Sequence, residues 1–333
     1  MNILIVRLGA LGDIVHTIPA AAALRQAFSE ARIDWLVEAR HRSMVDLVIG
    51  VDRAVVLERP SISGWLDIAR RMREGVYDIA IDFQGLMKSA VLARASGARR
   101  VIGFSVWHLR EKGARAFYSE IYRDTPAERA DHIVRQNLML LRSLGISDMT
   151  IRFPLREVRS PALDEIHAAL GGEHPFALIN PGAAWPNKRW PPDRFGEIAA
   201  FLQEVRALPS FVLWGPGEEG LAGAVVERSG GAARVAPATR VADLVAVSRA
   251  ASLMVSGDTG PLHIAAAVGT PTVSLFGPTD PHRNGPWSPD DVAVSRYGTC
   301  GCHYERRCKK DEWCLESIAV SEVTAAIQQR SQR

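Results

Sequence analysis

The sequence predicts two tandem α/β domains, each built on a parallel sheet flanked by helices. Three observations carry this prediction. Short apolar, β-branched runs alternate with amphipathic, helix-length segments along the chain. The alternation pauses at FPLREVRSPALDE (153–165), where two prolines sit among charges, and then resumes. The 333 residues suit two domains, and 47% hydrophobic with 23% charged residues is a globular balance. The boundary is placed at 158/159, giving domains 1–158 and 159–333.

In the first domain, NILIVRL (2–8) reads as a buried strand and IPAAAALRQAFSE (18–30) as the helix after it. RIDWLVE (32–38) and VDRAVVLE (51–58) are the next strands, and WLDIARRMREG (65–75) is an amphipathic helix. YDIAIDF (77–83) leads into the helical segment QGLMKSAVLARASG (84–97). In the second domain, FALINPG (176–182), FVLWGPG (211–217), LMVSGD (253–258) and TVSLFGPT (272–279) are strands running into loops. RFGEIAAFLQEV (194–205), VADLVAVSRAA (241–251) and TGPLHIAAAVG (259–269) are the helices between them. Such domains bind ligands at the carboxyl ends of their strands, and a tandem pair is expected to enclose a cleft there.

No run approaches the roughly 18 uninterrupted apolar residues of a membrane span. The apolar stretch Ile3–Val6 ends at Arg7, with Asp13 soon after, so the N-terminus reads as a strand and loop rather than a leader. Residues 1–160 carry 24 basic and 18 acidic residues, a net of +6, and the remainder nets −3. Arginine supplies 22 of those 24, the sign and type expected for an anionic partner. Cys300, Cys302, Cys308 and Cys314 are the only cysteines, leaving none to staple the 299 residues before them. A disulfide scaffold is excluded and a reducing cytoplasm expected. Their C-x-C-x5-C-x5-C spacing admits a structural zinc, free thiols or a labile disulfide.

Three loops carry candidate chemistry. Gly9-Ala10-Leu11-Gly12-Asp13 follows the first strand, and Asp13 either caps the next helix or offers a carboxylate at the ligand edge. The segment from Asn180 to Pro191 follows the first strand of domain two and bears adjacent cations, Lys188 and Arg189, suited to a phosphate. Ser256-Gly257-Asp258-Thr259-Gly260-Pro261-Leu262-His263 joins a strand to an apolar helix whose N-terminus is a natural anion site, with Asp258 placed to bond a sugar hydroxyl. Asp258 or Thr259 could also cap that helix. The first loop is not GxGxxG and no ribose-binding acid stands out at the end of the second strand, so a dinucleotide fingerprint fails there. HExxH, GxxxxGK[ST], GxSxG and a strand-end DxD are absent, which removes the zincin, P-loop and serine hydrolase readings.

With these blocks in order, the chain resembles glycosyltransferase family nine, the lipopolysaccharide heptosyltransferases, over nearly its whole length. The matching blocks are MNILIVRLGALGDIVHTIPAAAALR, RIDWLVE, IDFQGLMKSA, NPGAAWPNKRWP and VSGDTGPLHIAAAVGTPTVSLFGPTDP. The opening and IDFQGLMKSA are most similar to heptosyltransferase I members, the cysteine tail to heptosyltransferase II members. The resemblance implies a GT-B fold of two Rossmann-like domains, with the donor in the C-terminal one. It implies inverting transfer of L-glycero-D-manno-heptose from ADP-heptose to Kdo of the inner core, with no obligatory metal or cofactor.

By position, the resemblance makes Asp13 the general base, its neighbour Gly12 a donor contact, and Lys188 a catalytic ligand of the donor diphosphate. Asp258 would hold heptose hydroxyls, Thr259, Gly260 and Leu262 would line the phosphate end of the helix, and His263 completes the DTGxxH pattern. Glu218, or its neighbour Glu219, would bind the ribose, and the backbone near Thr239 the adenine. Ala183 and Ala184 stand where some members have hydroxyl residues, so contacts there would come from backbone N–H groups. Gln84, Lys88 and Arg94 are acceptor candidates, with Arg99, Arg100, Arg110, Lys112 and Arg115 as further cations. The expected partners are ADP-heptose and anionic Kdo-lipid A, met at the inner face of the cytoplasmic membrane. No nucleic acid is expected. A nucleotide-sugar epimerase is the rival enzyme reading, and it leaves the basic first domain unexplained.

Overall fold

The computed structural model describes residues 1–59, 61–126, 128–308 and 313–332. The chain divides into two compact units, Met1–Arg156 and Glu157–Arg333, two residues from the boundary read off the sequence.

The strands of unit one are β1 (Asn2–Val6), β2 (Arg32–Glu38), β3 (Arg53–Leu57), β4 (Ile79–Asp82), β5 (Arg100–Gly103) and β6 (Glu120–Ile121). Its helices are α1 (Leu11–Val15), α2 (Ile18–Ala27), α3 (Arg42–Val45), α4 (Ile62–Arg73), α5 (Met87–Ala95) and α6 (Ile133–Leu140). The sheet is parallel, in the order β3-β2-β1-β4-β5-β6, the strand order of a Rossmann domain. Helices cover both faces, so the central strands are buried along their length: β4 is IAID with all four residues buried. The order reverses between β1 and β4, which sets the loops following those two strands side by side.

Unit two contains β7 (Ala177–Asn180), β8 (Ser210–Val212), β9 (Ala233–Val235), β10 (Leu253–Gly257), β11 (Thr272–Phe276) and β12 (Val292–Ser295). Its helices are α7 (Pro161–Leu170), α8 (Pro192–Arg206), α9 (Glu219–Arg228), α10 (Val241–Ala250), α11 (Gly260–Ala267), α12 (Pro281–Asn284) and α13 (Val320–Ser331). The parallel order β12-β11-β10-β7-β8-β9 repeats the topology of unit one, with the switch between β7 and β10. Trp190 closes the core, its ring edge-on to Phe195 at 5.0 Å and its Nε1 donating to the Ile318 carbonyl at 3.1 Å. One tryptophan of the Pro-rich loop is thus a core residue that ties the start of α8 to the C-terminal segment.

The two-domain α/β class is observed as expected. The short strands β5, β6, β9 and β12 escaped the sequence reading, because two to four residues cannot display a period. Among the described residues, no helix is long and apolar enough to cross a membrane.

Candidate active site

The switch point of unit one gathers a buried cation and a half-exposed carboxylate. Arg7 directly follows β1 and is 6% exposed. One of its terminal nitrogens meets Asp13 Oδ2 at 2.8 Å, and the other donates to the Phe83 carbonyl at the end of β4. Asp13 also accepts from the Ala10 N–H at 3.3 Å. Its side chain is 45% exposed against 8% for that of Arg7, so the carboxylate faces solvent on a buried guanidinium. Asp13 therefore does both things the sequence left open: it bonds the helix start and presents an accessible carboxylate. The Thr17 hydroxyl donates to the Asp13 carbonyl at 2.8 Å, and the Asn137 amide to the His16 carbonyl at 2.9 Å, which pins α1 to α6.

Gln84 Oε1 accepts from the Leu8 N–H at 2.8 Å, stapling the two switch-point loops together. Lys88, in the first turn of α5, pairs with Glu38 at 3.1 Å, and Arg40 pairs with the same carboxylate at 2.8 Å. Burial opposes ionisation of Glu38, but the Lys88 and Arg40 contacts outweigh it and hold the carboxyl below its ordinary range. Burial, reinforced by Arg40, lowers the His41 pKa and favours the neutral imidazole. A Cβ on Gly9 would stand 2.8 Å from the His41 ring, so only glycine permits that approach. Arg94 is exposed in the last turn of α5. Six residues beyond Lys88, it lies about 9 Å farther along the helix axis, away from the switch-point loops. Arg100 is occupied by Glu120 at 2.6 Å, and Arg99 lies 3.9 Å from Asp78.

Fully buried Asp82 anchors the loop carrying Gln84. It accepts from the Gln84 N–H at 2.8 Å, the Ser89 hydroxyl at 2.8 Å and the Tyr118 hydroxyl at 2.7 Å. Burial pushes both the Asp82 carboxyl and the Tyr118 phenol upward. Tyr118→Phe removes one buried donor, and we expect it to cost about 1–3 kcal/mol of stability. Urea denaturation of the two proteins measures this, and equal midpoints would dismiss the anchor.

In unit two the loops after β7 and β10 meet at the switch point. Lys188 Nζ and Asp258 Oδ2 are 2.5 Å apart, with side chains 14% and 7% exposed. The Thr279 hydroxyl donates to the same oxygen at 2.6 Å, and His263 Nε2 lies 3.1 Å from Oδ1. Burial alone would raise the Asp258 pKa, but the His263 hydrogen bond and the Lys188 charge prevail and hold it far below the carboxylate range. Lys188 also lies over the Trp185 ring, 4.6 Å from its centroid. Thr259 precedes α11 in an extended conformation and makes no side-chain bond to the helix start. Neither it nor Asp258 caps the helix by side chain, which leaves the Leu262 amide of the first turn without a side-chain acceptor.

Arg189 Nε donates to the Ala183 carbonyl at 2.8 Å, and its guanidinium lies 3.6 Å from Glu218. Glu218 accepts from the Gly215 N–H at 3.1 Å. A Cβ on Gly182 would run into this carboxylate, so Glu218 lies directly over the loop following β7. Glu219 is exposed as the first residue of α9. Of the two candidates, Glu218 is the one that faces the loop. Ala183 is buried and Ala184 exposed. Thr239 is half-buried in the loop after β9, where the Ala236 carbonyl accepts from Trp214 Nε1 at 2.8 Å.

The cysteine segment packs behind this site. Cys300 Sγ lies 3.3 Å from Cys302 Sγ and 3.5 Å from Cys314 Sγ, and all four cysteines are free thiols. Burial and contact with its neighbouring thiols push the Cys302 thiol up to about 12. Among the described residues no group of three or more His, Cys, Asp or Glu is arranged to hold a metal ion. The thiols contact one another and the loop: Asn187 Nδ2 is 3.8 Å from Cys302 Sγ.

Two Rossmann-type units with this arrangement match a known family. The profile of glycosyltransferase family 9 (heptosyltransferase) matches residues 65–314. A relative from Pseudomonas aeruginosa, lipopolysaccharide heptosyltransferase 1, is 30% identical over 324 residues, covering 92% of this chain and 87% of its own. The chain belongs to glycosyltransferase family 9. Lipopolysaccharide heptosyltransferase 1 of Salmonella typhimurium is 27% identical over 309 residues, covering 88% of this chain and 93% of its own. Among solved structures, Escherichia coli heptosyltransferase WaaC with ADP superimposes with a TM-score of 0.78 at 23% identity, over 99% of this chain and 100% of its own. A family 9 glycosyltransferase from Veillonella parvula reaches 0.83 at 21% identity, over 100% and 98%. These structures confirm the two-domain GT-B fold. The sequence reading placed Asn180 and Thr279 in loops at the ligand edge without giving either a role, and passed over Arg7. Arg7 carried one signal, a charge closing an apolar strand.

Proposed function

We propose that the chain transfers L-glycero-D-manno-heptose from ADP-heptose to Kdo of the lipopolysaccharide inner core, with inversion at the anomeric carbon. The observation that carries this reading is the Lys188–Asp258 pair beside the uncapped start of α11. A diphosphate leaving group gathers negative charge as its bond to the sugar breaks. Lys188 and the N-terminal amides of α11 are fixed donors for that charge, without a divalent cation. Relatives named lipopolysaccharide heptosyltransferase 1, and WaaC structures with ADP and with ADP-2-deoxy-2-fluoro heptose, support the donor class.

The reaction is a single displacement. The Kdo hydroxyl attacks the anomeric carbon as the bond to the ADP oxygen breaks, and Asp13 takes the hydroxyl proton. Arg7 holds that carboxylate in place. When the diphosphate draws Lys188, His263 and Thr279 remain on Asp258, which is then available to a heptose hydroxyl. Glu218 and the loop at Thr239 lie at the ends of neighbouring strands β8 and β9, where the nucleoside would extend from the diphosphate. The basic first unit suits an acceptor bearing carboxylates and phosphates, and would hold the enzyme to the inner membrane face through its lipid substrate.

The test is transfer from ADP-heptose to Kdo2-lipid A, with and without EDTA. We expect product, at rates within about twofold with and without chelator, because fixed protein donors replace the cation. Transfer only to an already heptosylated core would move the acceptor to a later step. Absence of ADP-heptose binding would sink the donor assignment.

A further inference from the structure

We infer that Asn180 is a positioning residue that keeps the N-terminus of α11 open for the donor diphosphate, an inference that rests on the donor reading above. The starting observation is a polar residue that does not cap. Thr259 precedes α11 with φ −145° and ψ 167°, the extended geometry from which a threonine hydroxyl normally accepts from the second or third amide of the helix. The second residue is Pro261, which has no N–H, so Leu262 offers the single amide of that pair. Thr259 leaves it alone. Elsewhere in the same unit such residues do cap: Ser160 accepts from the Leu163 N–H at 3.2 Å and Asp280 from the His282 N–H at 2.9 Å.

What diverts Thr259 is Asn180. Its Nδ2 donates to Thr259 Oγ1 at 2.9 Å and to Ser256 Oγ at 2.9 Å, with the Gly182 carbonyl at 3.3 Å. Both hydroxyls direct their protons to the Gly257 carbonyl, at 3.3 Å from Thr259 and 2.8 Å from Ser256. The donors and acceptors are mutually satisfied, so the Thr259 hydroxyl is held facing the sheet. Asn180 is 4% exposed and ends β7 directly opposite Ser256 of β10, so the sheet register sets its reach. Lose the amide donor, and the threonine hydroxyl is released to turn and accept from Leu262, competing with a phosphate oxygen for the same N–H.

The test uses the full-length protein and ADP titration calorimetry on four proteins: wild type, Asn180→Leu, Thr259→Val and the double variant. Leucine keeps the volume of the asparagine without its donor, and Asn180→Ala repeats the measurement should leucine not fold. A released cap weakens ADP binding about five- to tenfold in Asn180→Leu. Thr259→Val has no hydroxyl to release and sets the reference for the double variant, which binds ADP within about twofold of it. This loss of the asparagine's effect once the hydroxyl is gone is the readout that general damage to the site would not produce. Unchanged affinity in Asn180→Leu, or a leucine effect undiminished in the Thr259→Val background, overturns the inference while leaving the donor reading intact. Wild-type protein that binds neither ADP nor pyrophosphate removes the donor reading and this inference with it.

Discussion

Replacing Asp13 by alanine or asparagine is expected to lower the transfer rate by about 10²- to 10⁴-fold, the usual worth of a general base. ADP affinity should stay within about twofold, because the groups proposed to hold the diphosphate, Lys188 and the start of α11, belong to unit two. The carboxylate is 45% exposed, so removing it leaves no buried void. It does leave Arg7, 6% exposed, without its carboxylate and held by the Phe83 carbonyl. Asparagine keeps the shape and can still accept a hydrogen bond, but it cannot take a proton. Single-turnover rates with saturating ADP-heptose separate the proton-transfer role from binding. A variant retaining a tenth or more of wild-type turnover would rule out Asp13 as the base.

The second large effect belongs to Lys188. Lys188→Met is expected to weaken donor binding and slow transfer by a combined factor of about 10²–10³, since it removes the cation proposed to meet the leaving group. It also strands a carboxylate 7% exposed, which at similar sites costs about 3–5 kcal/mol. The two consequences separate in a double variant. Lys188→Met with Asp258→Asn should recover most of the stability and none of the transfer. The pH dependence follows from the depressed Asp258 pKa. A carboxylate whose folded pKa lies below its unfolded value stabilises the protein fully above the ordinary range near 4, and that stability is lost as pH falls toward the folded value. Denaturation midpoints of wild type and Lys188→Met should therefore differ most above about pH 5 and converge in acid. A constant difference down to pH 3 would contradict the pairing.

Much of the candidate site was legible because its residues stand in turns that follow apolar runs. Asp13, Lys188 and Asp258 each lie a few residues beyond a strand, in loops rich in glycine or proline, and parallel sheets place such loops at the ligand edge. The helix start at Thr259-Gly260-Pro261 was legible for the same local reason. Other assignments depended on direction and neighbours. Lys88 and Arg94 look alike in sequence, but α5 runs away from the switch-point loops and carries Arg94 with it. Gln84, read as an acceptor contact, is engaged by the Leu8 N–H. The cysteine spacing admitted a metal, free thiols or a disulfide, and the spatial grouping of Cys300, Cys302 and Cys314 beside Asn187 is visible in the structure alone.

Local pattern along the chain was enough for the fold class, for a division within two residues of the one observed, and for naming the loops after β1, β7 and β10 as candidates. Hydrophobic period, turn composition and the order of blocks are all readable without neighbours in space. The partners were not. Arg7 beneath Asp13 and His263 on Asp258 form where the loop after one strand folds back, while Thr279 on Asp258, Glu218 over Gly182 and Asn180 against Thr259 are pairs set by which strands lie side by side. Hydrogen bonds and ion pairs act over about 3 Å, and chain separation does not predict which groups come that close. The fold of each loop and the side-by-side order of the strands bring them there.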